Sequence, residues 1–231
     1  MHSLTHSLLR IPVVAAICWL VMASAASAAP FTLSTTLTGD FRADNPDNLF
    51  INVTVTGDTT SNVVNWVVDI NSPLHPNAVL DVFAFNLAVD TSLVTFSNFS
   101  PSSWSIGSSA DNVPGSGGAD FYFEANDPPG RTNNVTNAVN LSFSATLSSG
   151  TWDPSLFLNA PLTTGGGIPA PGAQLGAHLR SLSTSGCSGC SDSGFATGAW
   201  TPTTTSVPEP MTLLVYGMGL IGASTFWRRR R

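Results

Sequence analysis

The chain has 231 residues, only 10% of them charged, and this length suits one ordinary domain with processing segments. Between residues 29 and 207, three arginines and no lysine stand against 13 acidic residues, a net charge of −10. Such a surface repels phosphate, which argues against a nucleic-acid partner.

Residues 1–28 have the pattern of a secretory signal peptide. Arg10 precedes an apolar run over residues 11–22, and the small residues 23–28 end in a small-x-small pattern. We therefore expect cleavage after Ala28 and export of the remaining chain. The alternative is a buried N-terminal helix, for which the Ala/Ser block before Pro30 is a poor end.

Residues 29–200 show about nine strand patterns separated by turn clusters. Residues 139–147 and 49–55 alternate between apolar and polar side chains, which is typical of a strand with one buried face. Residues 78–89 are apolar on both sides, as expected of a central strand covered on both faces. The other candidates are residues 31–38, 63–70, 93–99, 119–125, 174–182 and 195–200. The pattern predicts an all-β fold, an antiparallel β-sandwich that is jelly-roll or immunoglobulin-like in outline.

Four tryptophans follow the predicted signal peptide and precede the C-terminal segment. Trp66 lies in an apolar strand pattern and is predicted to be core. Trp104 and Trp152 lie among Ser, Gly and Pro, so exposed rings that stack on sugar are one interpretation. The alternative is that these rings fill the ends of the sandwich.

Candidate metal and catalytic groups are few. Four acids around one loop and strand could hold a structural calcium ion, although they lack EF-hand spacing: Asp111, Asp120, Glu124 and Asp127. No nucleophile elbow, phosphate loop or zinc-protease helix is present in the sequence. His75 and His178 are expected to be structural or surface residues. We therefore predict no catalytic residue, no cofactor and no transition-metal site, with distant paired carboxylates of a hydrolase as the remaining enzymatic alternative.

Cys187 and Cys190 are the two cysteines left once the predicted signal peptide is removed. In an oxidising compartment they are expected to form a local disulfide. A redox role is disfavoured because the surrounding pattern lacks βαβ units, and no histidine lies at zinc-finger spacing.

The C-terminal side contains a second hydrophobic segment. Residues 201–207, rich in Thr and Pro, are too polar to pack and are typical of a stalk. Pro208-Glu209-Pro210 follows, and Pro210 keeps Glu209 out of helical geometry, so the tripeptide is expected to be extended. The uncharged residues 211–227 would form a transmembrane helix of about 25 Å. By the positive-inside rule, a cytoplasmic stop is expected at Arg228, Arg229, Arg230 and Arg231.

Val207-Pro208-Glu209-Pro210, the Gly-rich apolar segment after it and the terminal arginines resemble the PEP-CTERM sorting domain. The resemblance covers residues 207–231 only. It implies recognition by an exosortase, a membrane-embedded cysteine protease-like transpeptidase of Gram-negative bacteria that make exopolysaccharide. It also implies an association with biofilm and floc formation. The plainer interpretation of the same residues is a Pro-rich helix start with Glu209 near the positive end of the helix dipole.

Together these features predict a structural protein exported through the inner membrane to the cell surface or extracellular matrix, anchored transiently or permanently with its C-terminus cytoplasmic. A carbohydrate-binding module delivered by the same tail is the first alternative. A secreted hydrolase is the second.

Overall fold

In the computed structural model, the residues described are 28–39, 49–108, 121–126, 134–163, 172–183 and 191–201. The chain divides into two compact units, and the first spans Ala29–Val207. The second consists of Met1–Ala28 and Pro208–Arg231, and of it only Ala28 is described.

The described residues of the first unit form ten antiparallel strands with very little helix. The strands are β1 Pro30–Thr38, β2 Phe50–Asp58, β3 Val63–Ile70, β4 Val79–Phe85, β5 Val94–Ser100, β6 Ser105–Gly107, β7 Phe123–Asn126, β8 Leu141–Leu147, β9 Leu175–Ser183 and β10 Ser191–Gly198. A 3₁₀ turn spans Thr91–Leu93, and a single helical turn, α1, spans Ser155–Leu158. The all-β, antiparallel prediction is confirmed, and each of the nine strand patterns overlaps an observed strand.

All ten strands belong to one sheet in the order β5-β8-β3-β2-β1-β10-β9-β4-β7-β6. The two outermost strands, β5 and β6, lie near each other, so the sheet is nearly closed. Strands β1 and β2 pair over their whole length, whereas β1 and β10 share only the register pair Thr38 and Thr197. The strands of the predicted antiparallel sandwich therefore belong to one nearly closed sheet, whose two halves are joined by this short β1–β10 contact.

The two halves of the sheet pack around an aromatic core. Trp66 on β3 lies with its ring centroid 4.6 Å from that of Phe85 on β4, and stacks on Phe143 of β8 at 5.5 Å. Phe83 and Phe157 contact the same indole. Large aromatic rings bury on the order of 150–250 Å² each, so this cluster supplies much of the apolar burial that stabilises the fold. Trp66 is fully buried, as predicted.

Strand β4 is covered on both faces, as its apolar pattern predicts. Phe83 and Phe85 point into the main core. Val82 and Ala84, on the opposite side of the strand, belong to a second small buried cluster with Phe121, Ala173 and Phe195. The sheet is therefore sealed from solvent on its outer side at this point.

Several sequence predictions fall outside the described residues. These are the signal peptide up to residue 27, the stalk beyond Thr201, the Val207-Pro208-Glu209-Pro210 motif, the predicted transmembrane segment 211–227, the arginines 228–231, Cys187 and Cys190, and the acids Asp111, Asp120 and Asp127. Within the described part of the chain, no helix has the length and apolar character needed to cross a membrane.

Candidate functional site

Trp104 and Trp152 are buried, which contradicts their expected role as exposed sugar-stacking rings. Trp104 is 2% exposed and Trp152 is fully buried. The Trp152 indole Nε1 donates a hydrogen bond to the carbonyl of Asn62 at 2.8 Å, and its ring stacks on Phe157. A platform for sugar needs a ring face open to solvent, so neither residue provides one. Both rings are packed inside the domain, and whether they fill the ends of a sandwich stays a prediction.

The acidic and histidine side chains of the described residues do not form a metal centre. No group of three or more His, Cys, Asp or Glu close enough to hold an ion occurs among them. Of the four acids considered for calcium, only Glu124 is described, and it lies half-buried on β7.

His178 and His75 both take part in local structure. His178 Nδ1 lies 2.9 Å from Asp81 Oδ2, and Arg180 Nε lies 3.4 Å from the other oxygen of the same carboxylate. Arg180 also donates to Asn134 Oδ1 at 3.2 Å. The buried ring of His75 accepts the backbone N–H of Ser183 at its Nδ1. These contacts hold β4 and β9 together and support the structural role expected for both histidines.

Two buried amide side chains fix the loops at one end of the sheet. Asn86 donates from Nδ2 to the carbonyl of Pro161 at 2.9 Å and accepts the backbone N–H of Tyr122 at Oδ1 at 2.8 Å. Gln174 donates to the carbonyls of Leu158 and Ala160 and accepts the backbone N–H of Trp200. Because a buried amide left unbonded costs about 1–3 kcal/mol, these residues define the positions of the loops that they bridge.

A depression of about 390 Å³ opens beside these loops, and we call it the Tyr122 depression. It is lined by Leu87, Ala88, Val89, Asp90, Thr91, Tyr122 and Pro161. Asn86 bonds to two of its walls, the backbone at Tyr122 and that at Pro161. Residue Tyr122 is 40% exposed, so part of an aromatic residue is open to solvent here.

The carboxylate of Asp90 in this depression accepts hydrogen bonds from the turn that follows it. Its Oδ1 accepts both the backbone N–H and the hydroxyl of Ser92, at 2.9 and 2.8 Å. These bonds, the backbone one first, lower the pKa of the Asp90 carboxyl below its usual range, so the group is a carboxylate at neutral pH. Within the described residues, Asp90 Oδ2 and the hydroxyls of Thr91 and Tyr122 have no hydrogen-bond partner.

A second depression, of about 540 Å³, lies on the outer face of β1 and β2. Its hydroxyl and amide groups bond to one another: Ser34 Oγ and Thr54 Oγ1 are 3.2 Å apart, and Thr36 donates to Asn52 at 2.9 Å. The same kind of pairing continues across the sheet, where Ser144 donates to Asn65 at 2.9 Å. The outer face of the β5-β8-β3-β2-β1 half is therefore rich in short, uncharged polar side chains.

Asn86, Asp90 and Tyr122 were not predicted as site residues from the sequence. Asp90-Thr91-Ser92 has the sequence of an Asx turn, which is a detectable signal for the carboxylate. Tyr122 and Pro161 lie close together because of the order of the strands in the sheet, and local sequence does not reveal that order.

Comparison with protein-family models, with curated proteins and with solved structures finds no significant match for this chain.

Proposed function

We propose that this chain is an exported, exosortase-sorted structural protein of the cell surface or extracellular matrix, associated with exopolysaccharide. The observation that carries the proposal is the order of three features: Pro208-Glu209-Pro210, the uncharged residues 211–227, and the arginines 228–231. An extended proline-flanked glutamate gives a protease an accessible backbone at the membrane surface. The arginines retain the C-terminus on the cytoplasmic side while the residues before Pro208 are outside.

The β-domain supports a structural role through what it presents to solvent. The outer face of one half of its sheet carries Ser, Thr and Asn side chains that are bonded to one another, beside the exposed Phe50, Val63 and Val67. A face of this kind offers few groups for acid–base chemistry, and an aromatic core packs beneath it. The proposed role is therefore that of matrix material or adhesin without catalysis, and the jelly-roll or immunoglobulin-like outline remains a prediction.

The sorting part of the proposal is tested by mass spectrometry of the chain in a host that contains an exosortase. We expect the secreted form to begin at Ala29 and to lack the arginines 228–231. Glu209→Gln should keep the tail on the chain and hold it in the membrane fraction. Glu124→Gln is a matched control, because Glu124 and Glu209 are the two glutamates of the chain and Glu124 lies in the β-domain.

Three results would contradict this proposal in different ways. A chain found in the cytosol with both ends intact would overturn export and sorting together. A surface chain that keeps its arginine tail would support a permanent membrane anchor. Release of reducing ends from matrix polysaccharide by the purified chain, abolished by a single carboxylate change, would establish a secreted hydrolase.

A further inference from the structure

We propose that the Tyr122 depression is a binding site for a neutral, hydroxyl-rich sugar chain. The inference rests on the proposed function only in that an exported domain meets polysaccharide. Its physical basis is the chemistry of the depression, which combines apolar walls, one exposed aromatic side chain and a small number of unbonded polar atoms.

The apolar part of the depression fits the C–H faces of a sugar ring. Ala88, Val89 and Pro161 supply aliphatic surface, and Tyr122 supplies an aromatic side chain with a polar end. A volume of about 390 Å³ falls in the range of small-ligand sites and matches a short stretch of oligosaccharide. Aromatic side chains that are apolar in body and polar at the tip suit ligands of mixed character.

The polar part of the depression fits the hydroxyl groups of such a ligand. Asp90 Oδ1 is occupied by two bonds from Ser92, whereas Oδ2 is an unoccupied acceptor among the described residues. A carboxylate oxygen accepts hydroxyl protons in short, strong hydrogen bonds. The hydroxyls of Thr91 and Tyr122 can both donate and accept, so the site offers partners for several sugar hydroxyls.

The position of the walls is fixed before any ligand arrives. Asn86 is 1% exposed and bonds to the backbone on both sides of the depression, at Tyr122 and at Pro161. The backbone N–H of Ala88, another lining residue, also donates a hydrogen bond to the carbonyl of Leu156 in α1. A rigid site loses less conformational entropy on binding than a mobile one.

Charge decides between neutral and acidic sugars. Asp90 is ionised, and residues 29–207 have a net charge of −10. A uronic-acid chain would therefore be repelled both by the carboxylate in the site and by the domain as a whole. Of these two sugar classes, the charge of the site favours the neutral saccharides.

The depression on β1 and β2 is a weaker candidate for the same ligand. Four of its polar side chains are already paired, Ser34 with Thr54 and Thr36 with Asn52. Binding there would exchange existing hydrogen bonds for new ones with little net gain. It also lacks an aromatic lining residue.

The test is isothermal titration of the full-length chain in detergent micelles with cellohexaose, laminarihexaose, mannohexaose and the acidic hexagalacturonate. We expect binding of at least one neutral hexasaccharide and a much weaker response to hexagalacturonate. Tyr122→Ala should weaken the affinity about tenfold or more, because it removes the exposed ring. Asp90→Asn should weaken the affinity about threefold to tenfold, because it removes the charge of the acceptor. The amide oxygen of the asparagine still accepts the hydrogen bonds from Ser92.

Two variants serve as matched controls. Asp58→Asn changes a carboxylate with the same local bonding, since Asp58 Oδ1 accepts the N–H and hydroxyl of Thr60, but Asp58 does not line the depression. Phe50→Ala removes an aromatic ring of similar exposure from β2. Both should bind the sugar as the unchanged chain does, and unfolding temperatures show whether each variant is folded.

Three outcomes overturn the inference: no binding of any neutral hexasaccharide, binding that survives both Tyr122→Ala and Asp90→Asn, or equal binding of hexagalacturonate. If the chain is sorted and trimmed correctly but binds no neutral sugar, only this inference fails. If sorting fails while the purified chain still binds sugar at Tyr122, only the proposed function fails.

Discussion

Gly176 on β9 gives two phenyl rings room to lie against the outer side of the sheet. A Cβ atom at this position would lie 2.7 Å from Phe195 Cζ and 2.9 Å from Phe121 Cζ. Both rings are buried, so they have little space into which to move. The missing side chain is therefore part of the packing of the second buried cluster.

We expect Gly176→Ala to lower the free energy of unfolding by about 1–3 kcal/mol, as overpacking of a buried cluster does. Gly107→Ala on β6 is the control, because a Cβ there meets no atom within 4 Å. That control should change stability by less than about 0.5 kcal/mol. Urea unfolding measures both variants, and an equal effect of the two would show that the rings can move aside.

Three aspartates, Asp58, Asp90 and Asp153, are bonded to a Ser or Thr two residues further on. The pKa of Asp58 is lowered first by the Thr60 hydroxyl, that of Asp90 by the Ser92 backbone N–H, and that of Asp153 by the Ser155 hydroxyl. A carboxyl with a lowered pKa in the folded state contributes stability above its ordinary value of 3.8. That contribution is lost as the pH falls through the lower, folded-state pKa.

The free energy of unfolding should therefore decrease on acidification below about pH 4 more steeply for the unchanged chain than for a variant with Asn at positions 58, 90 and 153. Asparagine keeps the acceptor oxygen but cannot titrate, which is why the variant isolates the effect. Chemical unfolding between about pH 6 and pH 2 measures the two slopes. Parallel slopes would mean that the turns form equally well in the unfolded chain.

At the scale of a strand, β4 and β3 differ in what covers their outer face. Val82 on β4 is 3% exposed beneath the second buried cluster, whereas Val67 on β3 is 37% exposed. Replacing valine by threonine keeps the shape of the side chain and introduces one hydroxyl. The two substitutions therefore differ in how deeply that hydroxyl is buried.

Val82→Thr should cost about 1–3 kcal/mol, because its hydroxyl is buried with only apolar neighbours in the cluster. Val67→Thr should change stability by less than about 0.5 kcal/mol. Thermal unfolding distinguishes the two, and similar values would indicate that the outer face of β4 opens readily to water.

The elements were more predictable than their arrangement. Period-two alternation identified β2 and β8 because each has one face in the core, and apolar residues on both sides identified β4. Strand β6 was missed because three residues are too short to show a period. Strand order was beyond local sequence, and so was the burial of Trp104 and Trp152, since polar neighbours along the chain do not determine where a ring packs in space.

At the scale of the molecule, the excess of acidic groups acts on the whole domain. Arg180 is the only arginine among the described residues, where the acids include Asp58, Asp69 and Asp90. Like charges destabilise a compact state by mutual repulsion, and dissolved salt screens them over about 10 Å at 0.1 M.

The unfolding temperature at neutral pH should therefore rise as sodium chloride is added up to about 0.15 M, where the screening length is about 8 Å. The contact between Arg180 and Asp81 is weakened by the same screening, but it is a single partly exposed pair and contributes little. Calorimetry at several salt concentrations measures the effect. A flat or falling trend would show that acidic repulsion is already relieved in the folded domain.

The first and last strands are neighbours in the middle of the sheet, and this sets the order in which a growing chain can fold. β1 and β2 can pair as soon as both have left the ribosome, but β10 ends only at Gly198 and is the strand that connects β9 to β1. The two halves of the sheet can therefore join at this point only once residue 198 is available, and such non-local pairing favours late closure and slow folding. Chaperones that hold unfinished chains have that whole interval in which to act.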